Sequence, residues 1–337
     1  AILLGAGIVS RILGFVPRMA LPRIIGAEGI GLYQMGYPLL IALITLVTGG
    51  IQIAVAKLVA EADSKHDTNG IRRIIRTAFA IVLTISIPLT LLCFFLAPWI
   101  TTHLLTDERV YYTFLCMSPI LIVVSISSVF RGYFQGLSNM LPSALSQITE
   151  TVIRCITVLL FAYLMLPYGI AYAAAGAMVG VLAGELAGLL IFCVQFMRGF
   201  KQKIDPHQTG RSAALRPLLR ISIPVTGSKL VGSTSYFLES ILTVQSLAIA
   251  GVATAAATAQ YGILQGMVIP IIMLPGVLTY SLSVSLIPTL SEASARGDWR
   301  TIHLRLHQTT RLALVTGAPF VVLMFILAEP LCLFLYG

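Results

Sequence analysis

Long apolar runs, separated by short polar or charged connections, follow one another along the whole chain. Their length fits the roughly 20 residues that a membrane-spanning helix needs, whereas barrel strands would show about ten residues of alternating polarity. The pattern predicts nine spanning helices and the start of a tenth, at residues 1–25, 37–60, 77–97, 111–130, 142–164, 170–197, 217–247, 257–289, 312–328 and from 331. The predicted fold class is therefore an all-α polytopic membrane protein.

The composition excludes an ordinary soluble enzyme and a disordered chain. Of the 337 residues, 57% are hydrophobic and 10% are charged, and the mean hydropathy is +0.93. A typical soluble domain has about 25% charged residues, which it needs for a polar surface. The five cysteines lie in apolar runs without a CxxC pair, so the sequence indicates neither a disulfide framework nor a metal site.

Basic residues are distributed very unequally between the connections. Those after even-numbered spans hold 15 Lys and Arg residues, and those after odd-numbered spans hold only Arg109. Because cytoplasmic loops are enriched in Lys and Arg, this predicts a multi-pass protein of the cell membrane with its N-terminus in the cytoplasm. It also explains most of the net charge of +9, so no nucleic-acid partner is expected.

An internal repeat relates the two halves at an offset of 231 positions. Asp67 matches Asp298 and Pro88 matches Pro319, each at an equivalent place in the span pattern. The offset covers six spans, an even number, so the copies are parallel rather than inverted. We therefore expect two pseudo-symmetric six-helix lobes, with an N-terminal lobe at 1–197, a cytoplasmic linker at 198–216 and the first part of a truncated C-terminal lobe at 217–337.

Cations inside the predicted spans are candidates for substrate binding, because a charge at the centre of a membrane helix costs about 2.5–3.5 kcal/mol even on the lenient scales. Arg11 and Arg18 are two turns apart on one face of the first span, which has no acidic residue to pair with them. Either a Glu of another helix neutralises them, or they face a water-filled cavity and bind an anion. Lys229 in the seventh span is a third such candidate.

Acidic residues in the spans are candidates for charge pairing or ion coupling. Glu150 and Arg154 are four residues apart and can pair on one helix face. Glu185 lies within a ladder of glycines at 176, 180, 184 and 188, which favours the close approach of another helix. Glu239 follows Lys229 by ten residues, about 15 Å along a helix, so these two cannot meet directly.

The eighth span contains two prolines, and the sequence has no motif of a nucleotide-hydrolysing or zinc enzyme. Pro270 and Pro275 each remove a backbone donor from the eighth span and could form a hinge. No GxxxxGK[ST] or HExxH motif is present. We therefore expect no catalytic residue, no metal and no cofactor, and a protein that is not an enzyme.

Three runs in the chain are more specific than its hydropathy: RGYFQG at 131–136, YGIAYAAAGA at 168–177 and QSLAIAGVAT at 245–254. They resemble the stage V sporulation protein B family of the multidrug/oligosaccharidyl-lipid/polysaccharide exporter superfamily, which is related to MurJ-type lipid II flippases. The resemblance implies fourteen helices in two six-helix lobes plus two more, around a V-shaped central cavity. It also implies a role in peptidoglycan assembly for the spore cortex.

The flippase motif carries over only in part. Its first arginine, in Ser-Arg-x-Leu-Gly-Phe, matches Arg11, and a second arginine corresponds to Arg18 with a shift of one position and without the Asp that follows it there. Two further cavity arginines have no match, and the eighth span offers Gln265 instead.

These observations lead to one preferred function and two alternatives. The preferred function is a flippase that moves an undecaprenyl-pyrophosphate-linked peptidoglycan precursor by alternating access, with Arg11, Arg18 and Lys229 neutralising the diphosphate. Its expected partners are this anionic lipid-linked glycopeptide, membrane lipids and peptidoglycan polymerases. The alternatives are a cation-coupled multidrug antiporter, against which six basic and three acidic residues in the spans argue, and a non-transporting scaffold for cortex synthesis.

Overall fold

The computed structural model describes residues 2–105, 107–199, 214–273, 290, 293 and 296–336, and every regular element in them is helical. The elements are α1 (Ile2–Thr48), α2 (Ile51–Ser64), α3 (Thr68–His103), α4 (Val110–Met117), α5 (Ile120–Gly136), α6 (Leu141–Met165), a 3₁₀ turn (Leu166–Tyr168), α7 (Ile170–Gly199), α8 (Leu215–Ile249), α9 (Thr254–Gly262), a π-helix (Ile263–Val268), α10 (Ile269–Ile272) and α11 (Trp299–Tyr336).

The surfaces of these helices are those of a membrane protein. Seven helical segments of the described residues are long and apolar enough to cross a bilayer. Large apolar side chains point outward, including Phe95, which is 81% exposed, and Phe325, which is 88% exposed. Such faces are stable in contact with lipid, so the all-helical polytopic membrane class predicted from the sequence is confirmed.

The first predicted span and the first part of the second lie in one continuous element, α1, and the rest of the second span lies in α2. Gly26, with φ 69° and ψ 177°, interrupts the helical geometry of α1, and the helix resumes at the next residue. The predicted connection at 26–36 is therefore wrong: one glycine makes the turn, because it reaches a positive φ without a Cβ clash. At the other end of the chain, α11 bends at Leu327, where the ninth predicted span gives way to the start of the tenth.

Helix α8 covers the seventh predicted span but is not among the seven apolar segments. Hydroxyl and charged side chains lower its hydropathy, among them Ser222, Thr226, Lys229, Ser233 and Glu239. The 35-residue helix still exposes large apolar side chains, among them Val231 and Leu242, which are 70% and 60% exposed.

The internal repeat is present in the connections before α3 and α11. Asp67 and Asp298 are the residues that begin these helices, and each carboxylate accepts a hydrogen bond from the backbone N–H three residues on, at 2.7 and 3.0 Å. Their own N–H groups both donate to the carbonyl five residues earlier, at 2.9 Å. The residue before each has a left-handed φ, 54° at His66 and 68° at Gly297.

Two compact units divide the chain at residues 1–263 and 264–337. The first contains α1 to α9, so α8 and α9, which the sequence assigns to the second lobe, pack in the same unit as α1 to α7. The lobe boundary at 198–216 stays a prediction, because residues 200–213 lie outside the described part of the chain.

The RGYFQG run on α5 is explained by packing in the core of the first unit. A Cβ on Gly132 or on Gly136 would lie 2.7 Å from a backbone carbonyl of α2, so only glycine permits this approach. Tyr133 and Phe134, between the glycines, are buried in a cluster with residues of α2, α3, α7 and α8. The run therefore fixes α5 against α2.

Candidate functional site

The glycine ladder of α7 allows direct backbone contact with α6. A Cβ on Gly180 would lie 2.5 Å from the backbone N of Val158, and a Cβ on Gly184 would lie 2.7 Å from the Cβ of Arg154. The hydroxyl of Thr157 donates to the Gly180 carbonyl at 2.8 Å across the same interface. The predicted close approach of a second helix is thus observed, and it brings Glu150, Arg154 and Glu185 together.

These three residues and Arg131 of α5 form what we call the buried charge cluster. Arg154 Nη2 contacts Glu150 Oε1, and Arg154 Nη1 lies 3.9 Å from Glu185 Oε1. Arg131 Nη2 lies 4.0 Å from Glu150 Oε2. The side chains of the two glutamates are 12% and 16% exposed, so they are almost fully removed from solvent. Two cations and two anions leave this cluster with no net charge.

Arg11 and Arg18 have different surroundings. Both side chains lie at exposed positions of α1. Within the part of the chain that the structure describes, neither forms an ion pair with a carboxylate. The first half of α1 packs against α6, where Cys155 Sγ lies 3.1 Å from the Leu13 carbonyl oxygen. These two arginines therefore remain available to an external anion.

Two tyrosines lie within electrostatic range of Arg18. Tyr33 interacts electrostatically with both Arg18 and Arg154. Tyr236 of α8 interacts electrostatically with Arg18 and with Glu239.

Lys229 is exposed but has a partner that the sequence did not predict. Its ammonium donates to the Gly49 carbonyl at 2.8 Å, at the break between α1 and α2. Beside it, the Gly50 N–H donates to the hydroxyl of Thr226 at 2.9 Å. A lysine at this position satisfies a carbonyl that the helix end leaves without an intrahelical donor. Two of its three N–H donors remain for another ligand.

The two hinge candidates lie in the second unit. Pro270 is in the first turn of α10 and directly follows the π-helix at Ile263–Val268. Proline has no backbone N–H, and the wider turn of the π-helix before it fits this gap in the helical hydrogen bonds. Pro275 lies outside the described residues.

A second polar cluster, which the sequence analysis did not predict, lies at the ends of the helices whose connections hold almost no Lys or Arg. We call this the arginine-poor side. Arg109 binds both oxygens of Asp107, with Nε–Oδ1 at 3.0 Å and Nη2–Oδ2 at 2.9 Å. Its Nη1 lies 2.5 Å from Glu28 Oε1. The hydroxyl of Thr258 on α9 donates to Asp107 Oδ2 at 2.8 Å. The one available signal was that Arg109 is the only basic residue in the connections of its side.

The contacts in this cluster keep Asp107 and Arg109 charged. Burial by itself would raise the pKa of the Asp107 carboxyl, but the hydrogen bonds from Arg109 and Thr258 outweigh it and hold the pKa below its ordinary value. The hydrogen bond to Asp107 likewise raises the pKa of the Arg109 guanidinium above its ordinary range. Asp107 is therefore a buried carboxylate with both oxygens satisfied.

Comparison with known proteins identifies the family. The sequence profile of the family described as "Polysaccharide biosynthesis protein" matches residues 1–294. The chain belongs to this family. Stage V sporulation protein B of Bacillus subtilis (strain 168) is 43% identical to this chain over 341 residues, which cover all of this chain and 66% of that protein. The chain is a homologue of stage V sporulation protein B, as its motifs predict.

A more distant curated relative and a solved structure are also similar to the chain. Lipid II flippase MurJ of the same organism is 27% identical, over 98% of this chain and 64% of that protein. The chain spans about two thirds of the length of these curated relatives. A solved inward-facing structure of a multidrug resistance MATE family transporter of the MOP superfamily matches with a TM-score of 0.76 at 13% identity, over 94% of this chain and 70% of that one. The fold is MATE-like.

Proposed function

We propose that the protein is a flippase for an undecaprenyl-pyrophosphate-linked peptidoglycan precursor of the lipid II type, working in the synthesis of spore cortex peptidoglycan. The relationship to stage V sporulation protein B and to lipid II flippase MurJ supports this substrate class. The substrate is an anionic glycopeptide on a long lipid, so its carrier needs cations within the membrane and a lipid-facing exterior.

The observation that carries the proposal is the contrast between two sets of cations in neighbouring helices. Arg154 is neutralised by Glu150 and Glu185, whereas Arg11 and Arg18 have no carboxylate partner among the described residues. Holding an uncompensated cation at membrane depth is unfavourable unless an anion or water reaches it. We assign that anion to the diphosphate of the substrate, bound by Arg11, Arg18 and the remaining donors of Lys229.

The same reasoning assigns supporting roles to the other residues and elements. Two pseudo-symmetric lobes would enclose the central cavity and expose it alternately to the two sides of the membrane, with the N-terminus in the cytoplasm. The buried charge cluster and Glu239 would hold the cationic helices or couple them to an ion. Pro270 and Pro275 would let the eighth span bend, and peptidoglycan polymerases would receive the product.

A reconstituted flipping assay tests the role of Arg18. The full-length protein in vesicles is supplied with a defined lipid-linked precursor, and the appearance of the head group on the far side is measured. Arg18→Ala should lower the initial rate about tenfold or more, because an ion pair to a phosphate in a poorly solvated site is worth at least ~1.5 kcal/mol. Arg18→Lys, which keeps the charge, should retain much of the rate.

Arg76→Ala is the matched control, since Arg76 is basic and exposed but lies near the start of α3, beside the arginine-rich connection. It should transport at the wild-type rate. Wild-type rates in both Arg11→Ala and Arg18→Ala would refute the cationic binding site. Export of an organic cation in place of the lipid precursor would instead assign the multidrug antiporter function.

A further inference from the structure

Helices α1 and α9 meet along a seam that has no space between their backbones. A Cβ added to Gly31 would lie 2.0 Å from the Thr258 carbonyl oxygen, and one added to Gly262 would lie 2.3 Å from the Ala27 carbonyl oxygen. Thr258 is fully buried in this seam. No head group can pass between the two helices while they are in this contact.

The polar cluster of Glu28, Asp107, Arg109 and Thr258 lies at the same seam. Three of its residues come from α1 and from the connection between α3 and α4, which belong to the first predicted lobe. Thr258 comes from α9, which belongs to the second predicted lobe. Of the contacts within the cluster, the 2.8 Å hydrogen bond between Thr258 and Asp107 is therefore the one that joins the two lobes.

We propose that these four residues form a latch that closes the arginine-poor side of the transporter and opens in each transport cycle. This inference rests on the proposed alternating-access function and adds to it the residues that control access on one side.

The ion pairs within the first lobe prepare Asp107 for this role. Arg109 is held by Glu28 and in turn binds both oxygens of Asp107, so the carboxylate keeps its position and its charge when α9 leaves. A carboxylate already paired with arginine needs only one water molecule to replace the Thr258 hydroxyl. The Thr258–Asp107 hydrogen bond thus favours the closed state, and it can form again when α9 returns.

Breaking the Thr258–Asp107 bond should shift the seam toward the open state. Ala257 is 1% exposed in the seam and serves as a reporter when replaced as Ala257→Cys in a cysteine-free background. An impermeant maleimide is applied to intact cells, and the labelling rate is measured. Thr258→Val, which keeps the shape but removes the donor, should raise the rate about tenfold, as expected for the loss of one charge-assisted hydrogen bond.

Two variants provide matched controls. Thr258→Ser keeps a hydroxyl and should label at the rate of the parent protein. Glu108→Gln removes an exposed carboxylate next to Asp107 in the same connection and should also have no effect. Asp107→Asn gives a second, independent way to weaken the latch, and its folding is checked by gel filtration in detergent.

An unchanged labelling rate in folded Thr258→Val and Asp107→Asn would overturn the latch. A parallel flipping assay separates this result from a failure of the proposed function. If labelling rises as expected but the wild-type protein moves no lipid-linked precursor, the latch stands and the proposed substrate is wrong.

Discussion

Two arginines of neighbouring helices show how the surroundings of a residue decide its role. Arg154 on α6 is flanked by Glu150 and Glu185, and the glycines of α7 give it room. Arg18 on α1 has the same side chain and no carboxylate partner in the described residues. The first arginine is a structural element of the helix interface, and the second is the better candidate for an anionic ligand.

Asp107 provides a pH-dependent prediction. Its pKa is lower in the folded protein than in the unfolded chain, whose ordinary value is about 3.9. Its contribution to stability is therefore complete above that ordinary value and is lost as the pH falls through the lower, folded pKa. We expect Asp107→Asn to lower the melting temperature in detergent by a constant amount between about pH 6 and pH 8, and by less as the pH falls below about 4.

The groups that face Asp107 are Arg109 from its own connection, Glu28 from α1 through Arg109, and Thr258 from α9. Because Arg109 and Thr258 keep their protonation state over this range, we assign the pH dependence to the Asp107 carboxylate. A destabilisation by Asp107→Asn that stays constant down to about pH 3 would contradict the assignment of a buried, hydrogen-bonded carboxylate.

At the scale of elements, the α6–α7 pair is specified by small residues. Four glycines of α7 each face α6, and hydroxyls of α6 donate to carbonyls of α7 at 2.9 and 2.8 Å. Close backbone approach with interhelical hydrogen bonds is how helices associate in lipid, where burial of apolar surface gives no advantage. This pairing could be predicted because the ladder is local in the sequence.

Gly180→Ala should destabilise the α6–α7 pair. The new Cβ would lie 2.5 Å from backbone atoms of α6, which cannot move aside as a side chain can. Overpacking of this kind costs about 1–3 kcal/mol, so the melting temperature should fall by several degrees. Thermal unfolding in detergent measures it.

Gly232→Ala is the control for that substitution. Gly232 lies inside α8, and its new Cβ would meet nothing within 4 Å. Alanine favours the helix over glycine, so this variant should melt at the wild-type temperature or above. If the melting temperature fell in both variants, the loss of stability could not be assigned to the α6–α7 interface.

At the scale of the whole molecule, the distribution of basic residues predicts orientation. Asn139 follows α5 on the arginine-rich side, and Ala253 precedes α9 on the arginine-poor side. An impermeant maleimide applied to intact cells should label Ala253→Cys and not Asn139→Cys, because positively charged connections are retained in the cytoplasm. The reverse pattern would place the N-terminus outside and invert the proposed direction of gating.

The repeat is also a property of the whole molecule. Asp67 and Asp298 make equivalent hydrogen bonds 231 positions apart. The sequence shows such a repeat because each capped turn uses residues within five positions of one another. It does not show how the helices of one copy pack on those of the other.

The sequence by itself determined the membrane class, the Glu150–Arg154 pair, the glycine ladder and the repeat that relates Asp67 to Asp298. The first three depend on the hydropathy or spacing of residues close together in the chain, and the repeat depends on a match between two of its segments. Only the tertiary structure decided that Glu28 and Arg109, 81 positions apart, share a salt bridge and that Thr258 bonds Asp107 across 151 positions. The same holds for Lys229 at the Gly49 carbonyl. Such contacts depend on how helices pack, and the packing is set by all their surfaces together.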